Sequence, residues 1–177
     1  MQLWRRWIRG GVLALMLAGP AGAGDFKVGD WVWNVDDPEV QLAGTTNDDG
    51  HILTQLCYPE SGNCIYAVGF DTNCTEGNSY PALVNADTGA DSMKFVCGGE
   101  LKDGTHLMVA EDFDQIDKVI RKSNRIGFAL PMEGDAFKAV RFSLRGSSDA
   151  LDAMRKVAER ASKNSPGTDT KKASEVF

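Results

Sequence analysis

The sequence predicts a mainly β fold, an antiparallel sandwich or barrel-like sheet with one short helix and a C-terminal helix. Three observations support this prediction. Short segments rich in β-branched and aromatic residues follow one another closely, separated by turn residues. Only two segments space their apolar residues as a helix does. All four cysteines, at positions 57, 64, 74 and 97, lie in the β-rich middle of the chain.

The first 23 residues have the features of a secretory signal peptide. Arg5, Arg6 and Arg9 form a basic start, residues 11–18 a short apolar core, and residues 21–23 (AGA) a small-residue cleavage site. The apolar core is shorter than the roughly 20 residues that a membrane-spanning helix needs. We therefore expect cleavage after Ala23, export to the periplasm or beyond, and no integral membrane segment in the mature chain.

After the leader, the length suits one domain. We expect a single disulfide-stapled β-rich domain over residues 24–162 and a disordered, polar tail over residues 163–177.

The four cysteines are expected to form two disulfides in an oxidising compartment. The sequence permits three pairings. The segment YPESGN between Cys57 and Cys64 can turn back as a hairpin tip, which favours Cys57–Cys64 with Cys74–Cys97 as the second pair. Loop-closure entropy assigns these bonds about 2.5 and 3.4 kcal/mol. A zinc site is disfavoured because no C-x-x-C pair is present, and we predict no cofactor.

Strands are predicted over residues 31–35, 51–58, 64–70, 80–85, 92–97, 105–110, 125–131 and 136–144. Pro81 marks residues 80–85 as a short edge strand, and residues 38–50 are interpreted as a polar connection. One helix is expected from about Asp112 to Lys122. A second begins with Ser148 as its N-cap and ends near residue 162.

The charge balance limits the possible partners. Without the leader, 16 basic residues face 25 acidic ones, a net charge of −9, which argues against nucleic acid and anionic membranes. Lys138, Arg141 and Arg145 nevertheless cluster along one basic-aromatic strand. They are the candidate binding face for an acidic protein partner. Charged residues also protect strand edges from aggregation, and this alternative remains open.

One motif suggests catalysis. Residues 87–91 (DTGAD) resemble the catalytic loop of retroviral-type aspartic proteases, in which two close carboxylates share a proton. However, Asn85 and Ala86 interrupt the apolar run that should lead into Asp87, and a two-residue turn explains the same letters. We predict no catalytic residues and no metal ligands, and we keep the protease as an unfavoured alternative.

Several short motifs carry a family resemblance. These are residues 29–31 (GDW), the cysteine-bearing strands, and residues 142–146 (FSLRG) followed by 149–151 (DAL). With them, residues 29–154 resemble the invasion-associated locus B family of small exported bacterial proteins. The resemblance implies a β-rich, disulfide-bearing periplasmic or cell-surface protein without known catalysis, in a family linked to host-cell association.

The sequence thus predicts a non-enzymatic, exported binding or accessory protein of the bacterial envelope, acting through a protein surface. A periplasmic inhibitor or immunity protein against a cationic hydrolase is the first alternative, because it would use the same acidic, stapled build.

Overall fold

Ten strands and two helices make up the part of the chain that the computed structural model describes, residues 25–70, 74–101, 104–131 and 137–164. The leader and most of the predicted tail lie outside these residues. The strands are β1 (Phe26–Val28), β2 (Trp31–Asn34), β3 (Gln41–Thr46), β4 (Ile52–Tyr58), β5 (Asn63–Phe70), β6 (Ser79–Ala86), β7 (Gly89–Glu100), β8 (His106–Ala110), β9 (Arg125–Pro131) and β10 (Phe137–Ser143). The helices are α1 (Phe113–Lys122) and α2 (Ser147–Asn164).

All ten strands belong to one antiparallel sheet, in the order β1-β2-β3-β4-β5-β8-β7-β6-β9-β10. The predicted mainly β, antiparallel fold with a short helix and a C-terminal helix is confirmed. The strands form a single sheet and not two packed sheets, so of the two predicted arrangements the barrel-like one is closer.

Both helices cover the same buried face of the sheet. Helix α2 packs on β1 to β4, while α1 lies against β5, β9 and α2. The core between them consists of large apolar side chains from sheet and helices, among them Trp31, Phe95, Met108, Phe128, Ile116, Leu151 and Met154. None of the helices in the described ranges is long and apolar enough to cross a membrane.

The polar connection predicted over residues 38–50 was wrong, because strand β3 lies within it. Its inward positions carry Gln41, Ala43 and Thr45, which are buried but small or polar. The strand therefore lacks the apolar alternation by which strands are recognised. Gly44 suits this position, since an added Cβ would lie 2.7 Å from the carbonyl oxygen of Leu53.

The edge-strand prediction for residues 80–85 was also wrong, because β6 is flanked by β7 and β9. Pro81 is tolerated for a local reason. Pairing with β9 begins only at Leu83, so the missing N–H of Pro81 lies beyond that ladder.

The two helix starts differ from each other in how well they were predicted. Asp112 caps α1 as expected, its side chain accepting a hydrogen bond from the Gln115 backbone N–H at 2.9 Å. The predicted N-cap of α2, Ser148, is two residues late, because that helix begins at Ser147 and its N-cap position is Gly146. Gly146 turns the chain into the helix at φ +89°, and its carbonyl accepts from the Ala150 N–H.

The structure pairs Cys57 with Cys64 and Cys74 with Cys97, and no cysteine is free. The first bond joins directly opposed residues of the β4–β5 hairpin. The second joins Cys74, which precedes β6, to the buried Cys97 near the end of β7.

A partly buried network of hydrogen bonds and ion pairs joins both helices to strand β5. Tyr66 donates to the Asp117 carboxylate at 2.6 Å, and Arg155 donates to the same oxygen at 2.5 Å. Arg121 donates to the other carboxylate oxygen at 3.0 Å. Burial alone would raise the pKa of Asp117, but the hydrogen bonds from Tyr66 and Arg155 and the two guanidinium charges outweigh it and hold this pKa below its usual value.

The two ends of the sheet meet at a backbone contact, which we call the seam. The Asp30 N–H donates to the Arg145 carbonyl at 2.9 Å, and the Trp31 indole N–H donates to the Ser143 carbonyl at 3.0 Å. Gly29 and Gly146 cross there at φ +61° and +89°. A Cβ on Gly146 would overlap the Val28 carbonyl, and one on Gly29 would overlap the Arg145 carbonyl. Only glycine permits this approach.

Substituting Gly146→Ala should destabilise the protein far more than the positive φ alone explains. Gly50→Ala is the matched control, because Gly50 has a similar φ of +84° with nothing within 4 Å of an added Cβ. We expect about 1–2 kcal/mol for Gly50→Ala and roughly 2 kcal/mol more for Gly146→Ala, measured by urea denaturation. Equal losses would show that the seam is not tightly packed.

Asp117→Asn should lower the free energy of unfolding by about 1–3 kcal/mol at pH 7, because it removes charge-assisted hydrogen bonds. The folded pKa of Asp117 lies below the unfolded value, so its stabilisation is present above the unfolded pKa of about 3.9 and is lost as pH falls through the folded value. The difference in stability between the wild type and the variant should therefore stay constant from pH 7 to about pH 4 and shrink only as pH falls further, below about 3.9. Asp152→Asn is the control, since Asp152 meets Arg121 on an exposed surface where an ion pair is worth little. A constant difference at every pH would contradict this account.

Candidate binding cleft

A polar cleft of about 790 Å³ opens beside the seam, and we call it the seam cleft. It lies where β9, β10 and the end of β6 face β1 and the end of β3. Its walls carry charged and hydroxyl or amide side chains, including Lys27, Thr46, Asp48, Asn85, Arg125 and Arg141.

Two of the three acidic residues that line the cleft, Asp30 and Asp87, have hydrogen-bond partners within the protein. Asp30 accepts from Arg145 at 2.7 Å and from the Ser143 hydroxyl at 2.6 Å. The hydrogen bond from Arg145, followed by that from Ser143, lowers the pKa of Asp30. The Asp30–Arg145 pair is therefore charged at neutral pH, and it fixes the end of β10 against the β1–β2 turn.

Asp87 is also held by the protein. It lies in the turn between β6 and β7, where Ala86 pairs with Gly89. One of its carboxylate oxygens accepts from the Asn124 backbone N–H at 2.6 Å and from the Asn124 side chain at 3.1 Å. The backbone bond, then the side-chain bond, lowers the pKa of Asp87. Asp87 and Thr88 thus form a two-residue turn, the structure that the sequence offers as the alternative to a protease loop for residues 87–89.

The basic groups of the cleft differ from these acids. Lys27, Arg125 and Arg141 make no ion pair within 4.0 Å in the described ranges, although the charge of Lys27 helps to lower the pKa of Asp30 and that of Arg125 the pKa of Asp87. Arg141 is exposed on β10 and lies opposite Gly127 in the register of β9. Its stem crosses the Gly127 backbone, 3.4 Å from the place where a Cβ would stand. The arrangement offers cationic groups to an anionic ligand.

The structure brings together only part of the predicted binding face. Arg141 lines the cleft. Arg145 follows the strand on the same face, but its charge is engaged by Asp30. Lys138 lies on the opposite face by the pleat of β10, on the side of Val140 and Phe142. The strand period of two therefore separates Lys138 from Arg141 and Arg145.

Sequence reasoning missed two cleft residues. Arg125 could have been found from the β9–β10 hairpin, because its register places Arg125 opposite Ser143 and diagonal to Arg141. No local sequence pattern predicts that Lys27 lines the cleft. It lies there because the seam brings β1 next to β10, which is more than 100 residues away along the chain.

No three His, Cys, Asp or Glu side chains in the described part of the chain lie close enough together to share a metal ion. Buried polar atoms without a partner do occur in the described ranges, for example Nε2 of Gln55, but none of their residues lines the seam cleft.

Fold and site together define a small, disulfide-bonded β domain with a charged cleft where the ends of one long sheet meet. No protein-family model matches the chain, and no curated protein sequence matches it. Among solved structures, it is similar to the crystal structure of invasion associated protein B from Bartonella henselae, with a TM-score of 0.57. The two share 14% sequence identity over 76% of this chain and 98% of that one. At this identity the similarity shows a relation of fold and not of sequence family.

Proposed function

We propose that this chain is an exported, non-enzymatic binding or accessory protein of the bacterial envelope that engages a protein partner through the seam cleft. One observation carries the proposal. In a mature chain with a net charge of −9, three cations, Lys27, Arg125 and Arg141, line this cleft, and of its three acids Asp30 is ion-paired with Arg145 while Asp48 and Asp87 keep their charge. Such local positive charge favours an acidic group on the partner.

Export is supported by the predicted leader and by the disulfides. All four cysteines are paired in the structure, and disulfides of this kind persist mainly in oxidising compartments. The two bonds also restrict the unfolded chain, which stabilises the folded state of a small domain. The structural neighbour is named an invasion associated protein, and a host-association role for this chain is proposed in line with that name.

A second candidate is an inhibitor or immunity protein that blocks a cationic hydrolase. Its specific support is the loop between β2 and β3, where Asp36, Asp37 and Glu39 are all exposed. These residues lie outside the seam cleft, so the two candidates use different surfaces and can be separated by mutation.

The experiment begins with the full-length chain expressed in a Gram-negative host. Intact mass of the protein from the periplasmic extract should correspond to a chain beginning at Gly24 with no free thiols. A chain that keeps its leader, or free thiols in fresh material, would contradict export and stapling.

The mature protein is then immobilised and used to capture partners from an envelope extract. Arg141→Gln should reduce capture at least tenfold. Capture should also weaken as salt rises, because salt screens the attraction between an exposed cation and an acidic partner. Lys94→Gln is the matched control, since it removes the same charge from an exposed strand position outside the cleft. If capture survives Arg141→Gln but is lost on neutralising Asp36 and Asp37, and the captured protein is a cationic hydrolase, the inhibitor is the correct function.

A further inference from the structure

Strand β10 is the last strand of the sheet, and its backbone directions can be read from its neighbours. The Leu144 N–H donates to the Asn124 carbonyl beside β9 at 2.8 Å. Backbone groups alternate in direction along an antiparallel strand, so those of residues 139, 141 and 143 point away from β9. The Ser143 and Arg145 carbonyls agree with this, because both accept from residues of the seam.

Upstream of the seam, β3 approaches β10, but no backbone hydrogen bond joins this edge to another element of the described ranges. Ala139 and Arg141 face Ala129 and Gly127 in the register as non-hydrogen-bonded pairs, and no backbone hydrogen bond joins them to another described element. The seam closes the sheet at residues 143–145 only. The seam cleft is the gap that remains between β10 and the end of β3. An open strand edge beside a gap can accept a further strand.

The side chains along this edge specify what such a strand should contain. Phe137, Ala139 and Arg141 project from the same face, since they are two residues apart. Phe137 is 74% exposed, Ala139 is exposed, and Arg141 points into the cleft near Arg125 and Lys27. A matching strand carries an acid opposite Arg141 and, two and four residues away on the same face, small or apolar side chains.

We propose that an extended, acidic segment of a partner protein adds to β10 as an eleventh strand, hydrogen-bonded along residues 137–141. The segment places a carboxylate among Arg141, Arg125 and Lys27. This inference rests on the proposed binding function and adds the chemistry and geometry of the contact. Backbone hydrogen bonds supply affinity and the basic cluster selects an acidic sequence.

The test uses a capped heptapeptide of sequence DTVTVTD as the probe, which presents an acid at either end and so suits a parallel or an antiparallel strand. Binding to the mature protein is measured by isothermal titration calorimetry. Ala139→Pro removes an N–H that points away from β9, so the ladder within the sheet is kept, and proline is tolerated at strand edges. Ala139→Val keeps the N–H and is the control. Urea denaturation of each variant verifies that it folds.

We expect Ala139→Pro to weaken peptide binding at least tenfold, Ala139→Val to change it less than threefold, and Arg141→Gln to weaken it at least threefold. A probe in which asparagine replaces both acids should bind at least threefold more weakly. No binding of DTVTVTD to the wild type would overturn the proposal, as would binding that Ala139→Pro leaves unchanged.

Two results separate this inference from the proposed function. Capture of a partner that depends on Arg141 but not on the Ala139 N–H would overturn strand addition and leave the binding function standing. Sedimentation could also show a dimer in the wild type and a monomer in Ala139→Pro. That result would overturn strand addition by a partner protein, because a second copy of this chain would then cover the edge of β10.

Discussion

The backbone contact between Gly29 and Gly146 is the constraint on which the rest of the architecture depends. A ten-stranded sheet has two edges, and exposed edges invite unwanted pairing. Here the β1–β2 turn reaches the end of β10, and the two chains approach so closely that a side chain at either glycine would overlap a carbonyl. The Asp30 amide, the Trp31 indole and the Asp30–Arg145 pair then fix the contact. Three short-range interactions thus hold together residues more than 110 positions apart.

The same contact explains the seam cleft. Because the sheet closes only at its residue 143–145 end, a gap remains upstream between β10 and β3. At the closure, Asp30 and Arg145 form an ion pair with each other. In the turn between β6 and β7, Asp87 accepts a hydrogen bond from Asn124. The remaining charge in the gap is therefore weighted towards Lys27, Arg125 and Arg141. The contact that closes the fold thus also removes Asp30 from the charges that a ligand in the cleft would meet.

The sequence predicted those parts of the fold that depend on local patterns. The span of β9 and the capped start of α1 follow from strand composition and from an acidic cap, and the hairpin tip of Cys57–Cys64 follows from its turn residues. Strand β3 was missed because Gln41 and Thr45 fill its inward positions. The cleft was predicted only through Arg141. Lys27 and Arg125 join it through strand register and the seam, which no single stretch of sequence encodes. The GDW and FSLRG motifs behind the family resemblance turn out to be the two sides of the seam.

Native-state hydrogen exchange of the Asp30 amide tests most directly whether the seam is part of the cooperative fold. Its N–H donates to the Arg145 carbonyl at 2.9 Å across the seam, whereas the Gly50 N–H donates at 3.1 Å within a local turn. We predict that the Asp30 amide exchanges only through global unfolding, with protection equal to that of the slowest amides of β5 and β8. Exchange of Asp30 as fast as that of Gly50 would contradict the account, because the ends of the sheet would then separate without unfolding the rest.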